Sequence, residues 1–171
     1  LDSLRDLTRE INVTFQRENL RSVLEEAVGL MKDGENNPNS AFSVELNMDR
    51  GTTLDAHRHR LLQAFVNVIQ NAMEACSDTQ CPVRLAINAK IESQERVVIV
   101  FSDNGQGMSE EAVGDVFQLY STSKPKGTGF GLPLAKKIIE SEHGGSITLS
   151  SIKGQGTTVT VVLPLEQAQE G

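Results

Sequence analysis

The order of apolar and polar residues follows two periods along this chain, one typical of helices and one typical of strands. Helical spacing, with apolar residues three or four positions apart, covers 20–32, 57–76, 110–116 and 132–142. Shorter apolar or alternating runs of strand length cover 42–48, 52–54, 83–90, 96–102, 146–151 and 158–163. Helices clustered against one face of a mixed, mostly antiparallel sheet make an α+β fold, a two-layer α/β sandwich. We expect the N-terminal segment to cover part of the opposite face.

Composition narrows the class of protein without indicating a reaction. At 171 residues the chain suits one domain with a sizeable core. Its net charge of −7 disfavours general binding to nucleic acid. No apolar run approaches the roughly 18 residues that cross a bilayer, and no signal-peptide pattern opens the chain. Cys76 and Cys81 do not form a CxxC pair and are interpreted as reduced thiols in a cytoplasmic setting.

The loop 103–108, Asp-Asn-Gly-Gln-Gly-Met, carries the most informative chemistry. It follows the apolar run 97–101 and precedes a helical pattern, which places Asp103 at the end of a buried strand beside Gly105 and Gly107. A carboxylate in that place can accept a hydrogen bond from an exocyclic amine, and exposed glycine amides can approach a flat ring. Such a turn is also ordinary in α/β domains for structural reasons alone, so the loop by itself leaves both interpretations open.

Two asparagines lie within the amphipathic pattern 61–75. Asn67 and Asn71 are four residues apart and therefore lie one above the other on one face of the predicted helix. Side-chain amides inside an apolar helix are costly unless they find partners. One interpretation is a pair of satisfied polar residues at the edge of a core. The other is an oxygen ligand for Mg²⁺, which prefers hard oxygen donors together with phosphates and water.

Two further glycine-rich segments follow. The run 127–132, Gly-Thr-Gly-Phe-Gly-Leu, opens a helical pattern, and amides at a helix N-terminus can hold phosphates. It lacks the preceding strand of a dinucleotide-binding fingerprint and the Gly-Lys-Ser/Thr of a P-loop. The segment 117–124 before it supplies hydroxyls and a cation. The run 154–157, Gly-Gln-Gly-Thr, predicts a hairpin turn whose threonine hydroxyl can also hydrogen-bond a purine.

Together, these segments resemble the ATP-binding module of the gyrase, Hsp-type chaperone, histidine kinase and MutL superfamily, and within it the catalytic domain of sensor histidine kinases. The match comprises an asparagine box at 67–71 and a phenylalanine box at 117–124. It also comprises three glycine boxes, at 103–107, 127–131 and 154–157, and the family's C-terminal ending at 143–164. It covers roughly residues 10 to 165. The resemblance implies a Bergerat-type ATP-binding fold, with ATP and Mg²⁺ as ligands.

The resemblance also implies a role for each matching residue. Asp103 is expected to hydrogen-bond the adenine amine, with Gly105, Gly107 and Thr157 around the purine. Asn71 is expected to ligate Mg²⁺. The amides of Gly127, Gly129 and Gly131 are expected to contact the triphosphate, and Lys124 or Lys126 to add charge. Phe117 and Tyr120 are expected to anchor the base of the lid, and the other expected nucleotide contacts are Tyr120, Thr128 and Leu132. The implied catalytic residues are Asn67, which would face the same phosphates, Asn71 and Lys124.

The segment 119–127 forms a short lid by this resemblance, because Pro125 and Lys126 alone separate the phenylalanine box from the second glycine box. In this respect the chain is most similar to the nitrogen-regulation class of kinases. The lid segment 119–127 is polar, so burying its side chains offers little free energy to offset the entropy lost when the segment becomes ordered. We therefore expect bound nucleotide to order the lid.

Asn67 separates two branches of the superfamily. In ATP-hydrolysing members, and in the serine kinases that inhibit sigma factors, a glutamate four residues before the magnesium asparagine acts as general base. The amide of Asn67 has no lone pair suited to accept that proton. The resemblance therefore implies transfer of the γ-phosphoryl group to a histidine, with little hydrolysis. One alternative is an ATP-driven clamp or serine kinase of the same superfamily, which Asn67 and the ending 143–164 argue against. The other alternative is a degenerate nucleotide-sensing module, which the intact boxes argue against.

The histidine that would accept the phosphoryl group is expected upstream of Leu1 in a longer parent protein. Residues 1–11 have apolar positions at helical spacing and resemble the end of a dimerisation and phosphoacceptor hairpin. We therefore assign residues 1–15 to that helix and a linker, 16–166 to the catalytic domain and 167–171 to a tail. The expected partners are the parent's own phosphoacceptor domain, in a homodimer, and a response regulator receiver domain. We expect no nucleic acid and no direct membrane contact, and leave open a membrane anchor in the parent.

The three histidines do not fit a phosphoacceptor, because none is followed by the Glu/Asp and proline pattern of that box. His57 and His59 resemble an HxH metal pair but are interpreted as solvated residues of a first helical turn, with Asp55 as the N-cap. His143 precedes Gly144 at a helix end, where an imidazole meets the carboxyl-end dipole, and is interpreted as structural.

Overall fold

The computed structural model describes residues 14–33, 42–76, 82–118 and 131–168, without the side chains of Asp33 and Cys76. Within these ranges the strands are β1 (Gln16–Asn19), β2 (Phe42–Asn47), β3 (Thr53–Ala56), β4 (Val83–Glu92), β5 (Arg96–Asp103), β6 (Ser146–Ile152) and β7 (Gly156–Pro164). The helices are α1 (Leu20–Asp33), α2 (Arg58–Cys76), α3 (Glu110–Asp115) and α4 (Gly131–Lys136), and α4 continues as a π-helical segment (Lys137–Glu142). Every helix and strand predicted from residue 20 onward is present with its ends shifted by at most two residues, and β1 is an additional strand. The helix predicted for residues 1–11 lies outside the described residues.

The strands build two sheets of unequal size. A five-stranded sheet has the order β2-β4-β5-β7-β6, in which β2 and β4 run parallel. The other neighbours pair antiparallel, which confirms the predicted mixed, mostly antiparallel sheet. A two-stranded sheet pairs β1 with β3. The N-terminal segment that we expected on the opposite sheet face falls mostly on residues 1–13, which lie outside the described residues.

The core is formed by one face of the large sheet together with apolar residues of the helices α1, α2 and α4. Alternate residues of β5 and β7 are buried, and so is the apolar face of α2. Phe65 of α2 meets Phe101 of β5 with their ring centroids 5.9 Å apart. Leu134 of α4 and Ile138 of the π-helical segment are also fully or almost fully buried. The helices thus pack on one face of the sheet, which confirms the α+β two-layer sandwich.

Helix α2 is the longest of the described helices, and its sequence explains why. It contains no glycine or proline, and its recurring apolar residues give it one buried face. His57 caps its start, because the imidazole Nδ1 accepts a hydrogen bond from the Arg60 amide at 3.2 Å. The prediction of Asp55 as the cap is wrong, since Asp55 lies within β3. No described helix, α2 included, is long and apolar enough to cross a membrane.

Asp55 instead joins β3 to the segment that follows β7. Its Oδ2 accepts a hydrogen bond from the Gln167 amide at 3.0 Å, and its Oδ1 lies 3.3 Å from the Arg17 guanidinium. Arg17 also donates to the Leu165 carbonyl at 2.8 Å. The Gln167 amide, and then Arg17, outweigh the partial burial of the carboxylate and lower the pKa of Asp55. Gln167, which the sequence assigned to the tail, is therefore bonded to the domain.

The predicted helix 132–142 consists of an α-helical part and a π-helical part. The change occurs at Lys137, and the segment ends at Glu142. The Gly145 amide then donates to the Ile139 carbonyl at 2.8 Å, and the Gly144 amide donates to the Glu140 carbonyl at 3.1 Å. With a φ of 71°, Gly144 ends the helix in the left-handed conformation that glycine adopts most easily.

His143 is buried and neutral. The residue is 0% exposed, and its ring bridges two main-chain groups. Nδ1 lies 2.9 Å from the Ile138 carbonyl oxygen, and Nε2 accepts a hydrogen bond from the His57 amide at 3.2 Å. Because the carbonyl can only accept, the proton resides on Nδ1. Burial lowers the pKa of His143, against the opposing effect of the Ile138 hydrogen bond. The imidazole does meet the helix end, as a neutral donor.

An ion pair ties the end of the π-helical segment to the start of α2. The Arg60 Nε and Nη2 atoms each lie 2.9 Å from one carboxylate oxygen of Glu142. The two side chains are only 12% and 6% exposed, so solvent and salt screen the pair weakly. This two-point contact fixes the position of Glu142 along α2.

The neutral state of His143 predicts an acid-sensitive fold. The native pKa lies below the ordinary histidine value of about 6.5, so the unfolded chain takes up a proton before the native chain does. The histidine contribution to stability is therefore present above about pH 6.5 and is lost as the pH falls toward the native pKa. Urea unfolding between about pH 7 and about pH 5 should show a smaller loss of stability in His143→Gln than in the exposed-site control His59→Gln. Equal losses in the two variants would contradict this assignment.

Candidate functional site

A row of four residues on α2 runs along the candidate site. Gln63, Asn67, Asn71 and Ala75 are spaced four apart and so lie on one face of the helix, which we call the α2 stripe. About 12 Å of helix separates Asn67 from Ala75. Asn71 lies between them and is half-buried. The stripe is touched by one glycine segment at Asn67 and by another at Ala75.

Asn67 bonds to the start of α4. Its Nδ2 donates to the Gly131 carbonyl at 3.0 Å, and its Oδ1 accepts from the Gln63 side-chain amide at 2.9 Å. The residue is 8% exposed, so both ends of its amide have partners in a buried position. Gly131 and Leu132, two of the predicted nucleotide contacts, are thereby held beside the α2 stripe.

The first glycine loop lies against the other end of the stripe. A Cβ atom on Gly105 would lie 2.8 Å from the Cβ of Ala75, so glycine is the residue that fits between loop and helix. The Gln106 amide donates to the Ala75 carbonyl at 3.1 Å, which satisfies a carbonyl in the last turn of α2. The loop is therefore fixed to α2 through main-chain contacts.

Asp103 ends β5 with its carboxylate held by main-chain amides. Its Oδ1 accepts from the Gly105 amide at 2.8 Å and from the Thr157 amide at 3.2 Å. The side chain is half-buried, and two donors on one oxygen define the plane of the carboxylate. The first and third glycine boxes, which are distant in sequence, therefore meet at this residue.

The third glycine box approaches β5 at main-chain contact distance. Gly156 has a φ of 97°, and a Cβ atom there would collide with the Asp103 carbonyl oxygen. Gly107 has a φ of 72°, and a Cβ atom there would collide with the Ile152 carbonyl oxygen. In both places glycine is needed for its backbone conformation and for the space that it leaves.

Ser151 joins the two loops through one hydroxyl. Its Oγ accepts from the Met108 amide at 2.7 Å and donates to the Gly156 carbonyl at 3.0 Å. The Thr157 Oγ1 lies 2.9 Å from the same oxygen. Because a serine has one proton, the Thr157 hydroxyl must be the donor in that contact. Thr157 is thus left with acceptor lone pairs.

The structure brings the predicted site residues into two described groups. Asp103, Gly105, Gly107 and Thr157 meet at the end of β5, and Asn67, Gly131 and Leu132 meet at the start of α4. Asn71 lies between the groups on the α2 stripe. Five predicted contacts, together with the lid 119–127, lie outside the described residues: Tyr120, Lys124, Gly127, Thr128 and Gly129.

Phe117, at the base of the predicted lid, is half-buried against the core. The Lys136 ammonium lies 5.4 Å from the centre of its ring, within the range of a cation–π contact. Ser109 caps the short helix α3 before it, because its hydroxyl accepts from the Ala112 amide. Phe117 is thus joined to α4, the helix that begins at Gly131.

Sequence reasoning missed three residues of the site. Gln63 precedes Asn67 by one helical turn, and that spacing was a usable signal. Ser151 belongs to the C-terminal ending of the resemblance, but its contact with Met108 crosses from one glycine box to another. Ala75 gave no signal, because its role is to be small where Gly105 approaches.

The described side chains suit a magnesium ion that is bound by one protein oxygen together with the phosphates of a nucleotide. Within the described ranges no group of three or more His, Cys, Asp or Glu could hold a metal ion by itself. Asn71 places an amide oxygen on the stripe, and Mg²⁺ is commonly held by one or two protein groups, with phosphates and water completing its shell.

A family comparison agrees with this geometry. The sequence profile of the "Histidine kinase-, DNA gyrase B-, and HSP90-like ATPase" family matches residues 56–167. The match begins at the end of β3 and includes α2 and both described halves of the site.

Curated relatives are kinases of bacterial signalling. The chain is 29% identical to the sensor histidine kinase ZraS of Salmonella typhimurium over 173 aligned positions, which are 99% of this chain and 36% of ZraS. It is 30% identical to sporulation kinase C of Bacillus subtilis over 166 positions, which are 97% of this chain and 38% of that kinase. The chain thus spans somewhat more than a third of the length of these relatives.

Solved structures share the fold. The nucleotide-free catalytic domain of histidine kinase ThkA superposes with a TM-score of 0.76 at 27% identity, covering 90% of this chain and 97% of that domain. The complex of ThkA with response regulator protein TrrA contains a chain that superposes with a TM-score of 0.73 at 25% identity. That superposition covers 96% of this chain and 46% of the other.

Because Gly156 lies so close to β5, we expect its replacement by alanine to destabilise the fold more than the same replacement at Gly154. Gly156→Ala and Gly154→Ala both place alanine at a positive φ, 97° and 85°, at about 1–2 kcal/mol each. Gly156→Ala must also displace the Asp103 carbonyl, whereas a Cβ atom at Gly154 has no neighbour within 4 Å. The free energy of unfolding in urea should therefore fall further in Gly156→Ala. An equal fall in both variants would show that space at Gly156 is not limiting.

Proposed function

The chain belongs to the histidine kinase-, DNA gyrase B- and HSP90-like ATPase family, and we propose that it is the ATP-binding catalytic domain of a sensor histidine kinase. In this function it binds Mg²⁺-ATP and transfers the γ-phosphoryl group to a histidine elsewhere in the parent protein. The α2 stripe is the observation that carries the proposal, because it presents Asn71 between two glycine segments that contact Asn67 and Ala75. The histidine kinases among the relatives support this choice within the family.

Asp103 selects adenine in this proposal. Its carboxylate is held by the Gly105 and Thr157 amides and can accept a hydrogen bond from the adenine amine. Guanine has a carbonyl acceptor at the equivalent position, so it would meet the carboxylate unfavourably. The Thr157 hydroxyl has acceptor lone pairs, and together with Gly107 it would complete the polar shell of the purine.

Main-chain amides bind the triphosphate. The first N–H groups of a helix have no acceptor inside it, and the helix dipole favours an anion there. Gly131 and Leu132 provide such groups at the start of the continuous helical segment Gly131–Glu142. By family resemblance, Gly127 and Gly129 supply further amides, and Lys124 or Lys126 adds positive charge. Tyr120 and Thr128 complete the nucleotide contacts that the resemblance implies.

Asn71 ligates the magnesium ion through its side-chain oxygen. When bound, Mg²⁺ neutralises phosphate charge as the γ-phosphoryl group leaves. The contribution of this chain is to hold the ligand on α2, a 19-residue helix whose start is fixed by His57 and by the Arg60–Glu142 pair. Because the metal-ligating residue lies on a rigid helix, the reacting phosphate keeps one position relative to the adenine ring.

The contacts of Asn67 favour transfer to histidine over hydrolysis. A base that activates water must be free to accept its proton, and an amide is not basic. Here the Asn67 amide lies between Gln63 and the Gly131 carbonyl. A neutral histidine ring nitrogen is itself nucleophilic, so the proposed reaction requires no general base from this domain.

The parent protein supplies the remaining components. We propose that residues 1–15 lead from an upstream dimerisation and phosphoacceptor domain, that 16–166 form the catalytic domain, and that 167–171 follow it. The parent would act as a homodimer in the cytoplasm and pass the phosphoryl group to a response regulator receiver domain. The ThkA–TrrA complex supports that partner class.

Asp103→Asn should weaken ATP binding roughly 10- to 150-fold, the equivalent of losing about 1.5–3 kcal/mol from a charge-assisted hydrogen bond. The asparagine Oδ1 can still accept from the Gly105 and Thr157 amides, so the loop should remain folded. Asp49→Asn is the matched control, because Asp49 accepts from the Gly51 amide in the same way but lies in another loop. Calorimetry on the wild-type chain should also show ATP binding more tightly than GTP. Equal affinities for the two nucleotides would exclude the proposed adenine contact.

Asn71→Ala should abolish Mg²⁺-dependent autophosphorylation of the full parent protein while its urea unfolding curve stays close to wild type. The physical reason is loss of the only amide ligand that the proposal assigns to the metal. Gln70→Ala, at the neighbouring exposed position of α2, should retain activity. Normal phosphorylation by Asn71→Ala would mean that the metal ligand is another residue.

A further inference from the structure

Gln63 and Asn67 form a chain of two hydrogen bonds that ends on the main chain of α4. Gln63 Nε2 donates to Asn67 Oδ1 at 2.9 Å, and Asn67 Nδ2 donates to the Gly131 carbonyl at 3.0 Å. The direction of the chain is fixed by chemistry. A carbonyl can only accept, so Asn67 must turn its nitrogen toward Gly131 and its oxygen toward Gln63.

We propose that this chain is a positioning relay, in which Gln63 holds Asn67 so that Asn67 orients the Gly131–Leu132 peptide toward the phosphates of the nucleotide. The inference rests on the proposed function, since it assigns phosphate contact to the start of α4. It makes Gln63 a positioning residue that acts through Asn67 and does not touch the nucleotide.

Peptide geometry connects Asn67 to the phosphate side. The peptide unit is planar, and in a trans bond its C=O and N–H point in opposite directions. The described residues contain no cis peptide bond. A hydrogen bond that draws the Gly131 carbonyl toward Asn67 therefore directs the Leu132 N–H away from α2. Leu132 lies in the first helical turn, where an N–H group needs an acceptor outside the helix.

Gln63 supports the orientation in which the Asn67 amide presents its nitrogen to the Gly131 carbonyl. With Gln63 in place, the Asn67 oxygen has a donor. Turning the Asn67 amide over would set its oxygen against the Gly131 carbonyl and would require the Gln63 amide to turn as well. Without Gln63 this preference weakens at one end. Because Gln63 is exposed, its removal leaves the core unchanged.

The other end of the helical segment cannot compensate for a lost contact at Gly131. The two-point Arg60–Glu142 pair fixes the segment's last residue against the start of α2. The segment Gly131–Glu142 is thus joined to α2 at both ends. Loss of the relay would remove the side-chain hydrogen bond at Gly131 and leave the ion pair at Glu142 in place.

A simpler explanation is that Gln63 and Asn67 are an ordinary i,i+4 pair that stabilises α2. The two explanations differ in which part of the nucleotide is affected. A general weakening of α2 would affect adenine and phosphate binding alike. The relay reaches only the start of α4, whereas the adenine amine is assigned to Asp103 at the far end of the α2 stripe.

The test compares ATP and adenosine binding to the 171-residue chain, with calorimetry for ATP in the presence of Mg²⁺ and NMR titration for adenosine. Gln63→Ala should weaken ATP binding about five- to tenfold and change adenosine binding by less than about twofold. Gln70→Ala, which removes the same side chain from an exposed position of the same helix, should change neither. In an Asn67→Ala background, Gln63→Ala should have no further effect on the ratio of the two affinities.

Equal weakening of ATP and adenosine by Gln63→Ala, or no change in either, would overturn the relay and leave the proposed function intact. A wild-type chain that binds adenosine as tightly as ATP would also overturn it, because no phosphate contact would then exist. A wild-type chain that binds neither would overturn the proposed function itself, and the relay with it.

Discussion

Main-chain segments come closer together at the end of β5 than side chains would allow, and the candidate site depends on this contact. Gly105 lies against Ala75 of α2, and Gly156 lies against the Asp103 carbonyl. At these distances the amides of residues 105 and 157 both reach one oxygen of the Asp103 carboxylate. The side chain proposed to recognise adenine is therefore oriented by main-chain groups. Apart from proline, no substitution removes a main-chain amide, so the glycines that admit these amides are the sensitive positions.

Helix α2 connects the proposed adenine side to the proposed phosphate side. Its last turn carries the first glycine loop, its middle carries Asn71 and Asn67, and its first turn is paired with Glu142. Phosphoryl transfer depends on holding base, metal and phosphate in one arrangement, and little covalent chemistry is required of the protein. In the proposed function, one continuous helix would hold the residues assigned to all three and so satisfy this requirement.

Periodicity and the ordered glycine boxes were sufficient to predict the described helices, the described strands except β1, the sandwich and the family. Features that depend on distant contacts could not be predicted. The strand β1 is polar in sequence and exists through its pairing with β3. Asp55 looked like a helix cap but bonds to Gln167, 112 positions away. Gln63 gained its role from the Gly131 carbonyl, which no local pattern reveals. The roles assigned to the lid residues remain predictions of the resemblance.

The sheet order has a consequence for how the protein is made. Strand β7 follows every other described element in the chain, yet it lies between β5 and β6 inside the sheet. During translation, one edge of β5 stays unpaired until residues 156–164 leave the ribosome. The Thr157 amide that helps to hold Asp103 arrives with the same strand. The proposed adenine contact is therefore complete only after β7 has paired with β5, and the nascent chain exposes a sheet edge before that part of its candidate site is assembled.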